Sequence, residues 1–429
     1  MQQAPAYPEF ASERGSETYL YSKGHARFAL TVFFVLMLFD FMDRQVIAAL
    51  LPTIKTEWHL TDTQLGLAVG IVNIAIAIFA FPFSYIADQW SRTKSSAWMA
   101  MVWSLATLAC AFAGSFAMLL VARFWVGVGE AAYSAPGSAV LAAHYPRSKR
   151  NTAVAIFQAA GPIGSVLGVV VGGVIATHWG WRHAFGLVAL PGMLFAWLLF
   201  WVKDYPQAFQ TGSGFDATAT PESPSHSWRA ALRHILGQPL MVCVLVASAL
   251  QFLVVATLAN WLPSYFHRAY GLSLSEAGLR TGVFILLSAL GLMLGGWLAD
   301  RRGSEKIRDR LGILMAFVTT TGLSFCLAMA LSPGLMQTLL LYFGGFWIVA
   351  FVGPVVNLLQ DQVPRTMAVS ALGIWVTLNN VLGMALGPVL TGILSDQSDL
   401  GHALQQVCML TLAGAGLLWL ARRMVASAK

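Results

Sequence analysis

Residues 27–51 read RFALTVFFVLMLFDFMDRQVIAALL, a run long enough to cross the hydrocarbon core of a membrane as one helix. Three ionisable residues, Asp40, Asp43 and Arg44, interrupt this apolar run. A charge inside a membrane helix costs from about 2.5 to more than 10 kcal/mol, so such charges persist only where they pair and face the protein interior or water. We therefore expect this stretch to be a membrane helix that also carries part of a functional site.

A second apolar stretch carries Arg123 and Glu130, which supply partners for the first three charges. Asp40 and Arg44 lie four residues apart and share a helix face, whereas Arg123 and Glu130 lie two turns apart, about 10 Å along the helix axis. At about 1.5 Å per residue, all five side chains lie about 17 to 27 Å from the inner ends of their helices. We expect Arg123 to pair with Asp43 or Asp40, and Glu130 to approach Arg44.

The predicted cluster contains three carboxyl groups and two guanidinium groups, so one negative charge is left without a partner. We hypothesise that one carboxyl group takes up a proton when its arginine moves away or engages substrate, with Glu130 first, Asp43 next and Asp40 as the third candidate. No histidine lies in the middle of a predicted span, so a carboxyl group must carry the proton. The alternative is a permanent pair of salt bridges that holds two helices together without titrating.

The composition extends the membrane assignment to the whole chain. Hydrophobic residues make up 57% and Asp, Glu, Lys and Arg only 10%, against about 25% charged residues in soluble domains. The apolar runs are continuous, which favours helices over the alternating strands of a membrane barrel. The sequence predicts twelve spans, near 27–51, 63–87, 95–114, 116–141, 152–177, 183–203, 239–267, 275–299, 308–331, 334–359, 367–394 and 403–421.

The distribution of lysine and arginine predicts the orientation. With both termini in the cytosol, only Lys55, Arg182, Arg268 and Arg280 fall in outer segments, and most of the remaining basic residues fall in inner ones. The protein is therefore expected in a cell membrane, with its inner loops against anionic lipid. The net charge of +7 is then spread over short loops, which argues against a nucleic-acid-binding surface.

One polar segment divides the chain into two halves. Its first part is rich in Gly, Ser, Thr and Pro and predicts a linker, and residues 228–235 predict a short amphipathic helix on the inner membrane surface. The expected organisation is a cytosolic tail, an N-terminal six-helix bundle, a cytosolic linker with its helix and a C-terminal six-helix bundle, at 1–26, 27–203, 204–237 and 238–429.

The two halves repeat each other at corresponding places. SYIADQWSR at 84–92 follows the second span, and GWLADRRG at 296–303 follows the eighth. Gly161-Pro162 in the fifth span has a counterpart in Gly387-Pro388 in the eleventh. Internal duplication of six-helix units is typical of rocking-bundle transporters. The expected fold is an all-α membrane protein with twelve transmembrane helices in two pseudo-symmetric six-helix bundles.

Over nearly the whole chain, the sequence resembles the major facilitator superfamily. The resemblance lies in the loops at 84–92 and 296–303, in the run Arg123-x-x-x-Gly127-x-Gly129, and in Gly161-Pro162 followed by several more glycines. Within this superfamily, FMDRQVIAALLP (41–52), DQWSRTK (88–94) and RFWVGVGEAAYSAP (123–136) resemble the spinster group, whose animal members export sphingosine phosphate or lysophospholipids. Organic anion–proton symporters of the same superfamily also place an Asp-Arg pair in the first span and an Arg with a later Glu in the fourth.

The resemblance implies a secondary active transporter that works by alternating access and is coupled to protons. The expected substrate is an amphipathic anionic or zwitterionic lipid, and the alternative is a small organic anion such as a sugar acid. No cofactor is expected, and the partners would be the substrate, protons and membrane lipids, with the protein a monomer. The resemblance also gives a gating role to Asp88, Arg92, Asp300 and Arg301, although Ser84 and Ser91 stand where most members have glycine.

The second half has no acid or base in the middle of its spans, so neutral side chains must line that side of a cavity. A cavity that is charged on one wall and apolar on the other suits an amphipathic substrate with its head at Arg44 or Arg123. The aromatic residues could equally serve helix packing. The candidates for substrate contact in this half are Asn260, Tyr265, Asn357, Trp375 and Asn379.

An enzyme and a channel are the competing classes. A membrane enzyme would need a nucleophile or metal-ligand cluster, and every histidine falls at or beyond a span end, so none is expected. A channel is disfavoured because the two-bundle layout has no repeated selectivity-filter sequence. The sequence therefore predicts a transporter and no enzyme.

Overall fold

The protein is described by a computed structural model, which covers residues 18–131, 133–205, 224–302, 306–364 and 367–427. These residues are almost entirely helical. In chain order the helices are α1 (Lys23–Trp58), α2 (Asp62–Gln89), α3 (Arg92–Ala111), α4 (Phe116–Glu130), α5 (Ser134–His144), α6 (Arg147–Trp179), α7 (Trp181–Leu199), α8 (Pro224–Leu236), α9 (Pro239–Tyr270), α10 (Leu274–Arg302), α11 (Ile307–Ala330), α12 (Leu335–Trp347), α13 (Val352–Gln362), α14 (Ala368–Leu378), the π-helical segment Asn379–Ala385, α15 (Leu386–Gln397) and α16 (Leu400–Ser427).

Ten stretches of the described chain are long and apolar enough to cross a membrane, and in two of them consecutive helices act together: α12 with α13, and α14 with α15. The remaining two predicted spans correspond to α3 and to α4 with α5. Together they make the twelve-helix arrangement that the sequence predicts.

The fourth and tenth spans are broken in their middles, which the sequence analysis did not anticipate. In each, a proline is the third residue of the second helix: Pro136 in α5 and Pro354 in α13. Proline has no backbone N–H to donate and clashes with the preceding turn, so it fits the first turn of a new helix and interrupts a continuous one. The break places Glu130 at the last residue of α4.

The eleventh span changes from α-helix to π-helix at Asn379 and returns to α-helix at Leu386. Pro388 is the third residue of α15 and cannot donate to the carbonyl of Met384, four residues earlier. Asn73 Nδ2 in α2 lies 3.4 Å from that Met384 oxygen. A side chain of the first half therefore satisfies a backbone group that a proline of the second half leaves free.

Glycines of α6 allow it to pack closely against α1. A Cβ atom on Gly164 would lie 2.2 Å from the Leu38 carbonyl oxygen, and one on Gly168 would lie 2.5 Å from that of Met42. Only glycine permits such a close approach between two helix backbones. The glycine-rich fifth span therefore lies in close contact with the first.

Helices α1–α7 and α9–α16 form two halves, which meet mainly through α2 with α15, α6 with α10 and α1 with α9. We call the end with the α2–α3 and α10–α11 connections the basic end, and the end with the α1–α2 and α9–α10 connections the opposite end. The described contacts between the halves concentrate toward the opposite end, where Gly66 meets Pro388 and Gly173 meets Leu274. The two halves are therefore closed against each other at the opposite end.

The predicted N-terminal tail lies largely outside the described residues, as does most of the linker before α8. The predicted amphipathic helix at 228–235 is part of α8, which begins four residues earlier and ends one residue later. It packs against α9 and α14 of the second half.

Candidate functional site

Arg44 joins α1 to α4 in the middle of the first half. Its Nη2 lies 3.3 Å from Asp40 Oδ1, one turn earlier in α1, and its Nε lies 3.2 Å from Glu130 Oε2 at the end of α4. The Asp40 and Glu130 side chains are almost completely buried, whereas 25% of the Arg44 side chain is exposed. One guanidinium group therefore holds two carboxyl groups and is the accessible member of the three.

Arg123 and Asp43 form a second, sealed pair. Arg123 Nη1 lies 3.3 Å from Asp43 Oδ2, and the exposed fractions of the two side chains are 2% and 0%. Asp43 Oδ1 and Arg123 Nε are buried without any hydrogen-bond partner among the described residues. The predicted cluster thus divides into a pair closed to solvent and a triad with one accessible arginine.

Glu130 makes fewer hydrogen bonds than Asp40, the other acid of the triad. Its Oε1 is buried with no hydrogen-bond partner in the described chain, and its Oε2 faces Arg44 Nε as an ion pair without hydrogen-bond geometry. It also ends a helix, where the partial negative charge of the helix C-terminus disfavours a carboxylate. A neutral, protonated carboxyl group would be easier to bury at this position than an ion whose oxygens are not hydrogen-bonded.

In the second half, a chain of hydrogen bonds links two of the predicted substrate residues. The Trp375 indole Nε1 donates to Ser248 Oγ at 2.9 Å, and Ser248 Oγ donates to Asn379 Oδ1 at 3.2 Å. Asn379 Nδ2 is buried and has no partner within the described structure. Because Asn379 begins the π-helical segment, its amide is presented where the helix departs from regular geometry, a feature common at functional sites.

The other candidates in this half are placed differently. Asn260 is buried and donates to the Ala256 carbonyl at 2.8 Å, and Asn357 is exposed on α13. The Tyr265 hydroxyl accepts a hydrogen bond from Gln337 at 2.8 Å, in a network near the opposite end that includes Tyr270. The structure therefore does not bring Tyr265 together with Asn379 and Trp375.

The predicted gating residues lie at the basic end. Arg92 is buried and stacks on the Tyr205 ring at 4.8 Å, and Arg301 stacks on Trp297. Asp300 is exposed and has no hydrogen bond or ion pair to another described side chain. The Asp88 side chain lies outside the described structure, so its predicted role stays a prediction.

Asp204, which follows α7, caps the N-terminus of α3. Its Oδ2 accepts hydrogen bonds from Ser91 Oγ at 2.6 Å and from the Thr93 backbone N–H at 3.4 Å, at the start of α3. A carboxylate at a helix N-terminus is favoured by the free N–H groups there. The end of α7 is in this way attached to the α2–α3 connection.

Sequence reasoning missed a group at the opposite end that connects the two halves. The buried carboxylate of Asp62, at the start of α2, accepts from Lys55 at 2.6 Å, from Arg268 in α9 at 2.7 and 2.8 Å, and from Ser395 in α15 at 2.6 Å. Asp396 in turn accepts the backbone N–H groups of Asp62 and Thr63 at 2.7 and 2.9 Å. We call these residues the end latch.

A local signal pointed to only part of the end latch. Thr61 and Gln64 form the capping box that begins α2, which the sequence pattern Thr-Asp-Thr-Gln permits. The partners Arg268 and Ser395 are more than 200 residues away in sequence. No spacing rule within one helix could have joined them.

Comparison with known proteins decides the family. The family model of the Major Facilitator Superfamily matches residues 33–388, which is most of the chain. The protein belongs to the major facilitator superfamily. It is accordingly a transporter of this superfamily and not an enzyme, as the sequence analysis predicted.

The relatives within the superfamily include both groups that the sequence motifs indicated. The chain is 25% identical over 417 residues to protein spinster homolog 1 of Xenopus laevis, covering 92% of this chain and 78% of the relative. It is 27% identical over 375 residues to the hexuronate transporter of Bacillus subtilis, covering 84% and 85%. The predicted resemblance to the spinster group is confirmed.

Solved structures of the superfamily confirm the fold. A bacterial homologue of the human lysosomal transporter spinster, in an inward-facing and unoccupied conformation, superimposes with a TM-score of 0.82 at 20% identity, covering 95% of this chain and 99% of the homologue. A D-xylose–proton symporter gives a TM-score of 0.69 at 19% identity, covering 92% and 97%. The protein is thus an integral, multi-pass membrane protein with the major facilitator fold.

Proposed function

We propose that this transporter moves an amphipathic anionic or zwitterionic lipid, such as a lysophospholipid or a sphingoid phosphate, in a cycle coupled to protons. The observation that carries the proposal is the accessible guanidinium of Arg44, which two buried carboxyl groups share. We also propose that the basic end faces the cytosol, so that the conformation described here, closed at the opposite end, faces inward.

The coupling follows from competition for one cation. While Asp40 and Glu130 both hold Arg44, the guanidinium has little positive charge to offer a substrate. Protonation of Glu130 would neutralise one of the two carboxylates that hold Arg44. The guanidinium of Arg44 would then be free to bind an anionic head group by charge-assisted hydrogen bonds. A proton and an anion would then occupy the site together, which predicts movement of both in the same direction.

The sealed pair of Arg123 and Asp43 supports the other hypothesis from the sequence, a permanent lock. Both side chains are buried, and a buried ion pair is strongly destabilised when one partner is lost. We propose that the two roles are divided: Arg123 and Asp43 hold α1 to α4, and the Arg44 triad titrates.

The substrate class rests on the contrast between the two halves. The charged triad lies in the first half, and the polar groups of the second half near Asn379 are neutral and accompanied by aromatic rings: Phe252 lies 5.9 Å from Trp375 and 5.3 Å from Phe351, measured between ring centroids. A charged head and an apolar tail would each find a complementary wall. The similarity to spinster homologues favours the same class.

The decisive experiment measures substrate-driven proton flux in proteoliposomes with lysophosphatidylcholine, sphingosine phosphate or glucuronate as substrate. Wild-type protein should transport a lipid and move protons with it. Arg44→Ala should bind a head-charged substrate about 10- to 100-fold more weakly, since a charge-assisted hydrogen bond contributes about 1.5–3 kcal/mol. Glu130→Gln should abolish the coupled proton flux.

Glu276→Gln is the matched control, because it removes an exposed carboxylate near the start of α10, outside the cluster. It should leave transport and proton flux unchanged. Full coupling in Glu130→Gln would remove the coupling proposal, and transport of a head-charged lipid by Arg44→Ala at the wild-type rate would place the head group elsewhere.

The second candidate function is proton-coupled transport of a sugar acid. It is favoured by the similarity to the hexuronate transporter, which has the same level of identity as the spinster relatives. The carboxylate of a sugar acid would bind Arg44 in the same way, but a sugar has no apolar tail to contact the aromatic rings near Asn379. Saturable glucuronate uptake without lipid transport would establish this alternative.

A further inference from the structure

Helix α8 has three different faces, each formed by residues spaced four apart. Ala231 and Ile235 are fully buried against the second half. Trp228 and Leu236 are exposed, at 44% and 62%, and lie on a second face that also carries the half-buried Leu232. Residues four apart lie one above the other on a helix, so each set forms a continuous stripe.

The third stripe is basic. Arg229 and Arg233 are both exposed, directly beside the apolar stripe, and the Arg229 guanidinium lies over the Trp228 ring at 5.6 Å from its centroid. A helix with an exposed apolar face bordered by cations is suited to the boundary between head groups and acyl chains of a bilayer. Tryptophan is enriched at this depth because its ring is apolar and its N–H is polar.

The buried stripe packs α8 against helices of the second half, mainly α14 and α9. Ile235 packs in the same cluster as Leu358 of α13 and Ala371 of α14. His234 Nε2 lies 3.2 Å from the Gln362 carbonyl oxygen at the end of α13. Helix α8 is therefore attached to the end of α13 and to α14.

We propose that α8 binds the surface of an anionic bilayer, with Arg229 and Arg233 on lipid phosphates and the stripe of Trp228, Leu232 and Leu236 in the interface. The bilayer is the occupant that the two exposed stripes fit together, since a soluble acidic protein would leave the apolar stripe uncovered. The proposal is independent of the transported substrate.

The test uses the full chain with its four native cysteines replaced by alanine and a fluorescent label on Leu236→Cys, at the most exposed position of the apolar stripe. The protein is reconstituted in phosphatidylcholine alone or with phosphatidylglycerol at 7:3, and brominated acyl chains of either lipid serve as quenchers. We expect strong quenching by brominated phosphatidylglycerol. Each of Arg229→Ala and Arg233→Ala should lower the preference for phosphatidylglycerol about fivefold, because one basic residue near an anionic surface contributes about 1 kcal/mol.

Two controls separate charge from position. Arg229→Lys with Arg233→Lys keeps both charges and should keep the lipid preference, whereas Arg308→Ala removes an exposed cation of α11 and should not change it. Quenching by neither lipid, whether the label contacts water or another part of the protein, would overturn the proposal. If both lipids quench the label equally and the arginine variants do not change this, the claim that Arg229 and Arg233 select anionic lipid would be overturned.

Discussion

At the residue scale, the distinction between the two arginines of the first half rests on exposure and not on charge. Arg44 and Arg123 each face a carboxylate at 3.3 Å, but a quarter of one side chain is accessible and the other is sealed. An accessible pair can exchange a partner for a substrate or a proton, whereas a sealed pair has nothing to exchange with. We therefore expect the accessible and the sealed arginine–carboxylate groups to serve different purposes, as proposed above.

The sealed pair predicts a pattern of stabilities. Arg123→Gln and Asp43→Asn should each destabilise the protein by about 3–5 kcal/mol, because each leaves a buried charge without a partner. The double variant should recover a large part of that loss, since it leaves no net charge in the pocket. Thermal unfolding of the purified protein in detergent measures this, and a double variant as unstable as the sum of the single ones would contradict the lock.

His144 predicts a dependence of stability on pH. It lies at the end of α5, beyond the predicted span, and its Nε2 is 2.9 Å from the Lys203 carbonyl oxygen. Burial, together with the nearby His25, lowers the pKa of His144 to about 4 from 6.5, because the charged ring would lose its hydration. The unfolded chain then binds the proton first as the pH falls.

The resulting contribution to stability is complete above about pH 6.5 and is lost as the pH falls toward 4, by up to about 3 kcal/mol. His144→Gln keeps an N–H donor but cannot titrate, so its melting temperature should fall less between pH 7 and pH 5 than that of the wild type. His183→Gln, at an exposed histidine of α7, should retain the wild-type slope. Parallel slopes in all three proteins would show that His144 does not titrate on unfolding.

At the scale of the elements, the helices of the first half are positioned by glycines and by helix breaks. Gly164 and Gly168 bring α6 against α1, and the break before α5 places Glu130 at a helix end beside Arg44. In the second half, the π-helical segment and Pro388 give the eleventh span an irregular backbone, with Asn379 at its start. Irregular backbone in a membrane is tolerated where other protein groups satisfy it, as Asn73 does for Met384.

Adding a methyl group at the α1–α6 contact should separate these helices. Gly164→Ala should destabilise the protein by about 1–3 kcal/mol, because the new Cβ would overlap the Leu38 carbonyl oxygen and neither backbone can yield locally. Gly186→Ala is the control within α7, where a Cβ meets no atom within 4 Å. It should be neutral or stabilising by up to about 1 kcal/mol from helix propensity. Equal melting temperatures for the two variants would refute the close-packing role.

At the scale of the whole molecule, the end latch joins the two halves at the end opposite the basic loops. The Asp62 carboxylate binds cations from both halves, and Asp396 of the second half accepts the first N–H groups of α2. In a transport cycle by alternating access, as the sequence analysis expects, these contacts would break when the opposite end opens. We therefore propose that the end latch favours the conformation that is closed at the opposite end.

Removing the Asp62 charge should disfavour this conformation. Asp62→Asn leaves Lys55 and Arg268 facing each other without a carboxylate. The conformation that is closed at the opposite end therefore loses stability. Spin labels at Thr56 in α1 and Gln397 in α15, both exposed at this end, should report a larger population of long distances by double electron–electron resonance. Asp399→Asn, which removes an exposed acid bonded to its neighbours His402 and Gly401, should not change the distribution. Identical distributions in both variants would exclude a latch function.

The sequence by itself determined the membrane class, the twelve spans, the duplicated halves and the pairing of Arg44 and Arg123 with acids of α1 and α4. These follow from helix periodicity, from the length of apolar runs and from the cost of charge in hydrocarbon, all of which act locally along the chain. Only the tertiary structure decided which arginine stays accessible and how Asp62 joins Arg268 and Ser395. Those features depend on contacts between residues far apart in sequence, whose geometry is set by the packing of whole helices and not by any local pattern.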